Sequence, residues 1–169
     1  MTDQPLSSQQ LPIALLLQAV EAALPPAVSG WVDRQPVTVV PVPSIDELMV
    51  YALRSRPRFI VIDGRVATGD PLAACRKIKR DPFTGVVPVI YVAPDGMRPR
   101  IAALDALADD VVSADMDDAE TLTRLRCTLA RSDRDVNVHP STRLPGAPAI
   151  HDAIRDRLET AFAACYADL

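Results

Sequence analysis

The chain has 169 residues and a formal charge of −4, with 49% hydrophobic and only 4% aromatic residues. This suits one ordinary domain with a few tens of residues to spare, and the aliphatic bias fits helices packed on a parallel sheet. Mild acidity argues against a nucleic-acid partner, which needs a concentrated basic face. Arg54, Arg56 and Arg58 are scattered, and Arg76, Lys77, Lys79 and Arg80 read as the solvated face of one helix. Cys75, Cys127 and Cys165 are far apart and form no C-x-x-C pair. They are expected to be buried or incidental thiols in a reducing cytoplasm, with no metal centre. The aliphatic run at 13–17 is too short to cross a bilayer and follows no basic segment, so neither a membrane span nor a signal peptide is expected.

Residues 1–10 are polar and read as a loose tail. The run at 11–17 suits a first buried strand. Residues 18–28 read as helical but are interrupted by Pro25 and Pro26, which either open a new turn or stop the first one; 30–36 is then a connection. The β-branched stretch 37–42 predicts a second strand, and Pro41 places it at an edge. Ser44 and Glu47 form a capping box that starts a helix running to about Arg54.

Residues 58–62 are apolar after Arg58, follow Pro57 and end on Asp63-Gly64, the pattern of a strand buried on both faces. Asp70 and Pro71 supply an N-cap and a first helical residue for a helix to about Arg80. A turn at 81–85 leads to a fourth strand at 86–92. Ile101, Leu104 and Leu107 mark a helix from Met97 to Leu107, and a fifth short strand runs from Asp110 to Ser113. Asp117 to Glu120 caps a last helix reaching Arg131, with Leu122, Leu125 and Leu129 at helical spacing; most of these three leucines are expected in the core. Strands and helices alternating at this period predict an α/β fold with a five-stranded parallel, doubly wound sheet and a C-terminal helical extension. Asp63 would then sit at the carboxyl end of the sheet, the edge where such folds bind ligands.

The order of elements, together with the string from Arg76 to Pro82, the following Val87-Pro88-Val89-Ile90, and Ala108-Asp109-Asp110, resembles a response-regulator receiver domain of the flavodoxin-like type over about 11–131. In that family an aspartate accepts a phosphoryl group with the help of Mg²⁺ held by an acidic pair, a hydroxyl, a lysine and a switch aromatic. The resemblance puts the phosphoacceptor at Asp63, the acidic pair at Gln18 and Ala19, the hydroxyl at Ala93, the lysine at Ala114 and the aromatic at Val111. Only Asp63 keeps the family's chemistry. It is therefore expected to be a vestige, capping the loop after it, with no catalytic residue, no metal and no cofactor. The alternative is a live phosphoacceptor with atypical Mg²⁺ binding, to which Asp95 could lend a carboxylate.

Residues 132–148 are polar and proline-dotted, as in a linker. Ser141 to Gly146, the helix-like stretch 149–158 and the segment ending at Asp168 resemble the start of a degenerate GGDEF (diguanylate cyclase-type) domain, truncated before any GGDEF motif. Its apolar terminal segment is expected to pack on the core, on a partner chain or on an exposed edge. The resemblances together imply a cytoplasmic, non-enzymatic module that regulates a C-terminal GGDEF-type domain in cyclic di-GMP or two-component-like signalling. They imply a homodimer through Met97 to Leu107, Asp110 to Ser113 and Asp117 to Arg131, with no nucleic-acid or membrane partner. A small nucleotide-binding α/β domain is a further alternative, opposed by the absence of a G-x-G-x-x-G, a Walker loop or a His/Ser/Asp constellation; His139 and His151 fall in the linker and tail.

Overall fold

The computed structural model describes residues 11–19, 23–67 and 69–136, together with 150, 154, 155, 157 and 158. Five strands, β1 (Ile13–Leu17), β2 (Thr38–Pro41), β3 (Phe59–Asp63), β4 (Val89–Val92) and β5 (Asp110–Val112), form one sheet in the order β2-β1-β3-β4-β5, with every pair parallel. Helices α1 (Pro26–Asp33), α2 (Ile45–Ser55), α3 (Pro71–Arg80), α4 (Met97–Asp105) and α5 (Asp118–Val136) connect and follow them. The strand order reverses between β1 and β3. A crevice therefore opens at their carboxyl ends, where Asp63 terminates β3.

Side chains alternate across the pleat and build two cores. Leu15, Leu17, Ile60, Ile62, Val89 and Tyr91 pack with Leu48, Cys75, Ile78 and Ala103 on the side of α2, α3 and α4. Ala14, Phe59, Val61, Ile90 and Val112 pack with Val28, Trp31, Leu125 and Leu129 of α1 and α5. Leu125 and Leu129 are thus core residues, as the helical spacing predicted. The chain divides into two compact units, 1–129 and 130–169, and the sheet belongs to the first.

Local chemistry sets most boundaries. Ser44 Oγ accepts from the Glu47 amide at 3.3 Å and Asp70 Oδ1 from Ala73 at 2.9 Å, while Asp117 Oδ1 accepts from Ala119 and Glu120 at 2.9 and 3.0 Å. β2 lies at the edge, where the missing amide of Pro41 disturbs no inner ladder.

Four expectations are corrected. Gln18 and Ala19 lie outside any helix; of the two readings of Pro25 and Pro26 the opening of a new turn holds, with α1 starting at Pro26 because proline's fixed φ and absent N–H suit a first turn, and residues 30–33 are helical and not a connection. β4 begins at Val89, since Val86 and Val87 belong to a turn held from below by Lys79. Lys79 is not on a solvated face: its Nζ donates to the carbonyls of Gly85 (2.6 Å) and Val87 (3.1 Å) and lies 2.8 Å from Asp109. Gly85 is required there, because a Cβ would fall 2.7 Å from the Asp81 and Lys79 carbonyl oxygens. α5 continues to Val136, past the expected end at Arg131.

Most of the segment expected as a linker, and the terminal segment with Asp168, lie outside the described residues. Ile150, Ile154 and Leu158 are helical and exposed. No described helix is long and apolar enough to cross a membrane.

Candidate functional site: the carboxyl-end mouth of the sheet

Asp63 is the last residue of β3 and is fully buried, at 0% exposure. Its Oδ1 accepts from the Arg65 backbone amide at 3.0 Å and from Arg65 Nε at 2.8 Å. Its Oδ2 accepts from Arg65 Nη2 at 2.9 Å and from the Ala19 amide at 3.3 Å. Arg65 Nη2 also donates to the Ala23 carbonyl at 2.9 Å, which ties the guanidinium to the far wall of the crevice. The fork is bidentate and charge-assisted, the strongest geometry for such a pair. Hydrogen bonding to Asp63 is the main reason the Arg65 guanidinium is held more basic than usual, with the charges of Asp63 and Asp95 acting the same way. The expectation that Asp63 caps the loop after it therefore agrees with these contacts. The residue doing the holding, Arg65, was not singled out in the sequence. The signal available was an arginine two places after a strand-ending aspartate, in a mouth with no other cation at the family positions.

At the remaining positions the side chains bring no acid, hydroxyl or amine of the receiver kind, although the Ala19 amide donates to Asp63. Gln18 and Ala19 follow β1 and carry no carboxylate. Ala93, buried after β4, gives its amide to the Val112 carbonyl at 2.8 Å. Val111 is buried on β5 and lies beside Tyr91 in register. Tyr91 covers the residue after Asp63 so closely that a Cβ at Gly64 would lie 2.4 Å from its ring. Ala114 offers no amine, and next to it Asp115 takes up Arg100 Nη1 at 2.8 Å, the Gly96 amide at 3.2 Å and the Ser113 hydroxyl at 2.5 Å. These bonds, led by the one from Ser113, hold the Asp115 carboxyl below its ordinary range. They also tie the loop before α4 to the loop after β5. Asp95 is exposed beyond β4. Among the described residues, no group of three or more His, Cys, Asp or Glu side chains gathers as a metal site requires.

Away from the mouth, Asp110 is buried on β5 and accepts from Thr128 Oγ1 at 3.0 Å, fastening α5 to the sheet. Cys75 is buried in the α3 core, and burial pushes its thiol up to about 12. Since the thiolate is the reactive form, Cys75 should resist iodoacetamide in the native protein while exposed Cys127 is alkylated. Peptide mass mapping before and after denaturation checks this; native-state labelling of Cys75 would contradict it.

This sheet order, with a single aspartate closing the third strand, defines a doubly wound domain of the receiver fold. Solved structures share it. The receiver domain of a signal transduction histidine kinase from Syntrophus aciditrophicus superposes with a TM-score of 0.58 at 20% identity, covering 79% of this chain and 98% of that one. The receiver domain of a sensor histidine kinase from Pseudomonas aeruginosa, with a magnesium ion coordinated in its active site cleft, gives 0.56 at 20% identity over 70% of this chain and 98% of that one. In sequence, the chain is 34% identical over 79 residues to the response regulator PleD of Caulobacter vibrioides, which is 46% of this chain and 17% of that protein. It is 31% identical over 84 residues to the DNA-binding dual master transcriptional regulator RpaA of Synechocystis, 49% of this chain and 35% of that protein. The chain thus spans a minor part of these longer relatives, and no family model matches it.

Proposed function

We propose that this domain is a pseudo-receiver, a non-catalytic signalling module that works by contact and not by phosphoryl transfer. The observation that carries the reading is the Asp63–Arg65 fork. Both carboxylate oxygens are engaged by the chain's own donors, and the resemblance to receiver domains puts Ala19, Ala93 and Ala114 at the positions of a carboxylate, a hydroxyl and an amine. In-line phosphoryl transfer depends almost entirely on such placed charges, so their absence removes the means of stabilising a transferred phosphoryl group.

The module would act through pairing of two copies on the face of α4, β5 and α5. A groove of about 290 Å³ lies there between Met97, Ile101, Leu104 and Val111, rimmed by Arg100, Glu120 and Arg124. Met97 is 68%, Leu104 54% and Ile101 49% exposed, and a rim with both signs of charge can complement itself about a two-fold axis. α5 then leads toward the segment whose residues resemble the start of a GGDEF-type domain, the output it would regulate in cyclic di-GMP or two-component-like signalling. The similarity to PleD, a response regulator, supports the signalling assignment.

Beryllofluoride with Mg²⁺, followed by ¹⁹F NMR on the full chain, tests the first part. No bound fluoride signal is expected, and a stoichiometric adduct lost in Asp63→Asn would establish a live phosphoacceptor instead. For the second part, light scattering should give a dimer mass for the wild type and a monomer mass for Leu104→Arg; an unchanged mass would remove this face as the interface.

A further inference from the structure

We propose that the Arg65 guanidinium is the resident counter-ion of the mouth, so that the cleft is closed to divalent cations for as long as Arg65 is present. This deepens the pseudo-receiver reading and rests on it. In the Pseudomonas receiver domain of the same fold, the cleft coordinates a magnesium ion. The residues of this chain do not fit that ion. An ionised carboxylate has about four acceptor positions. Four donors fill those of Asp63: the Arg65 amide, Nε and Nη2, and the Ala19 amide. Mg²⁺ requires near-octahedral oxygen ligands and one or two free carboxylates. Gln18 and Ala19 bring none, and Asp95, exposed beyond β4, is the other acid whose charge reaches Arg65.

Arg65 is not an incidental neighbour. Its third bond, to the Ala23 carbonyl, holds the guanidinium between β3 and the segment after β1, the two walls of the crevice. Charge balance at a fully buried carboxylate is thereby met from within the chain. Take the guanidinium away, and the carboxylate keeps two backbone donors, the amides of residues 65 and 19, but its charge is left uncompensated. A lone buried carboxyl can regain neutrality by taking up a proton, and where it stays ionised a divalent cation from solution could restore the balance.

The test compares wild type, Arg65→Gln, Arg65→Lys and the double variant Asp63→Asn/Arg65→Gln by thermal unfolding with Mg²⁺ or chelator. The wild-type midpoint should not move. That of Arg65→Gln should rise by about 5 °C once Mg²⁺ exceeds its dissociation constant about tenfold. Arg65→Lys, still cationic, and the double variant, without the carboxylate, should be indifferent. If Arg65→Gln is unfolded in chelator, recovery of its far-ultraviolet dichroism on adding Mg²⁺ supports the proposal equally, and no recovery overturns it. A folded Arg65→Gln that ignores Mg²⁺ overturns it too, as does a wild-type midpoint that climbs with the ion. The beryllofluoride experiment on the wild type is read separately: an inert wild type with a metal-indifferent Arg65→Gln sinks the counter-ion alone, and a wild-type adduct at Asp63 sinks the pseudo-receiver reading.

Discussion

Arg65→Gln should lower the unfolding free energy by about 3 kcal/mol in the absence of divalent ions, near the lower end of what removing one partner of a buried pair does. The lower end applies because Arg65 keeps 27% of its side chain exposed while Asp63 keeps none. The asymmetry also predicts the opposite substitution. Asp63→Asn leaves an isosteric acceptor for the Ala19 amide and a guanidinium that can turn to water, so its effect should be nearer 1 kcal/mol, the scale of a net hydrogen bond. The double variant should then lose clearly less than the sum, since the unpaired charge that makes Arg65→Gln expensive is gone. Urea unfolding of the four proteins measures the cycle. Equal, additive and small effects would show a solvated ion pair of the ordinary surface kind. The coupling should also survive raised salt, because a buried pair is screened far less than an exposed one.

The site was legible as a place before it was legible as chemistry. A run of apolar residues ending in Asp63-Gly64 is enough to put a carboxylate at the end of a buried strand, and β3 ends there. Ser44, Asp70 and Asp117 announced their helices for a related reason: a cap is decided within three residues by one side-chain oxygen. Arg65 was not legible, because whether a guanidinium folds back onto the residue two before it depends on the path of a loop. Lys79 shows the same limit. In sequence it is one of four cations on a helix, and only the turn at 81–87, brought beneath it by the fold, turns it into a bracket for two carbonyls and Asp109. That bracket also explains the short β4: Val86 and Val87 have strand composition, but the Gly85 and Val87 carbonyls are drawn to a lysine instead of a neighbouring strand. Composition told strand from helix well, and told strand from a pinned turn poorly.

The companion prediction concerns the other core. Phe59 opens β3 at 0% exposure, and its ring lies 5.1 Å from that of Trp31 at an interplanar angle of 51°. This tilted pair joins the sheet to α1, a helix of eight residues that starts on a proline and has no side-chain cap. So short a helix is held by packing more than by its own propensity. Phe59→Ala should therefore cost about 4 kcal/mol, combining lost transfer free energy with a cavity that the sheet backbone cannot collapse to fill. Against a typical domain stability of about 5–15 kcal/mol, that is a large share. Phe59→Leu, which keeps most of the volume, should lose about 1.5 kcal/mol or less. Trp31 is the chain's one tryptophan, so its emission reports directly on this contact during unfolding. In Phe59→Ala it should shift to the red before the dichroism of the sheet changes, because α1 loosens first while Leu125 and Leu129 still hold α5 in place. Coincident transitions, with an effect below that of Phe59→Leu, would mean that α1 is anchored by Val28 and Val32 instead, and that the aromatic pair contributes little.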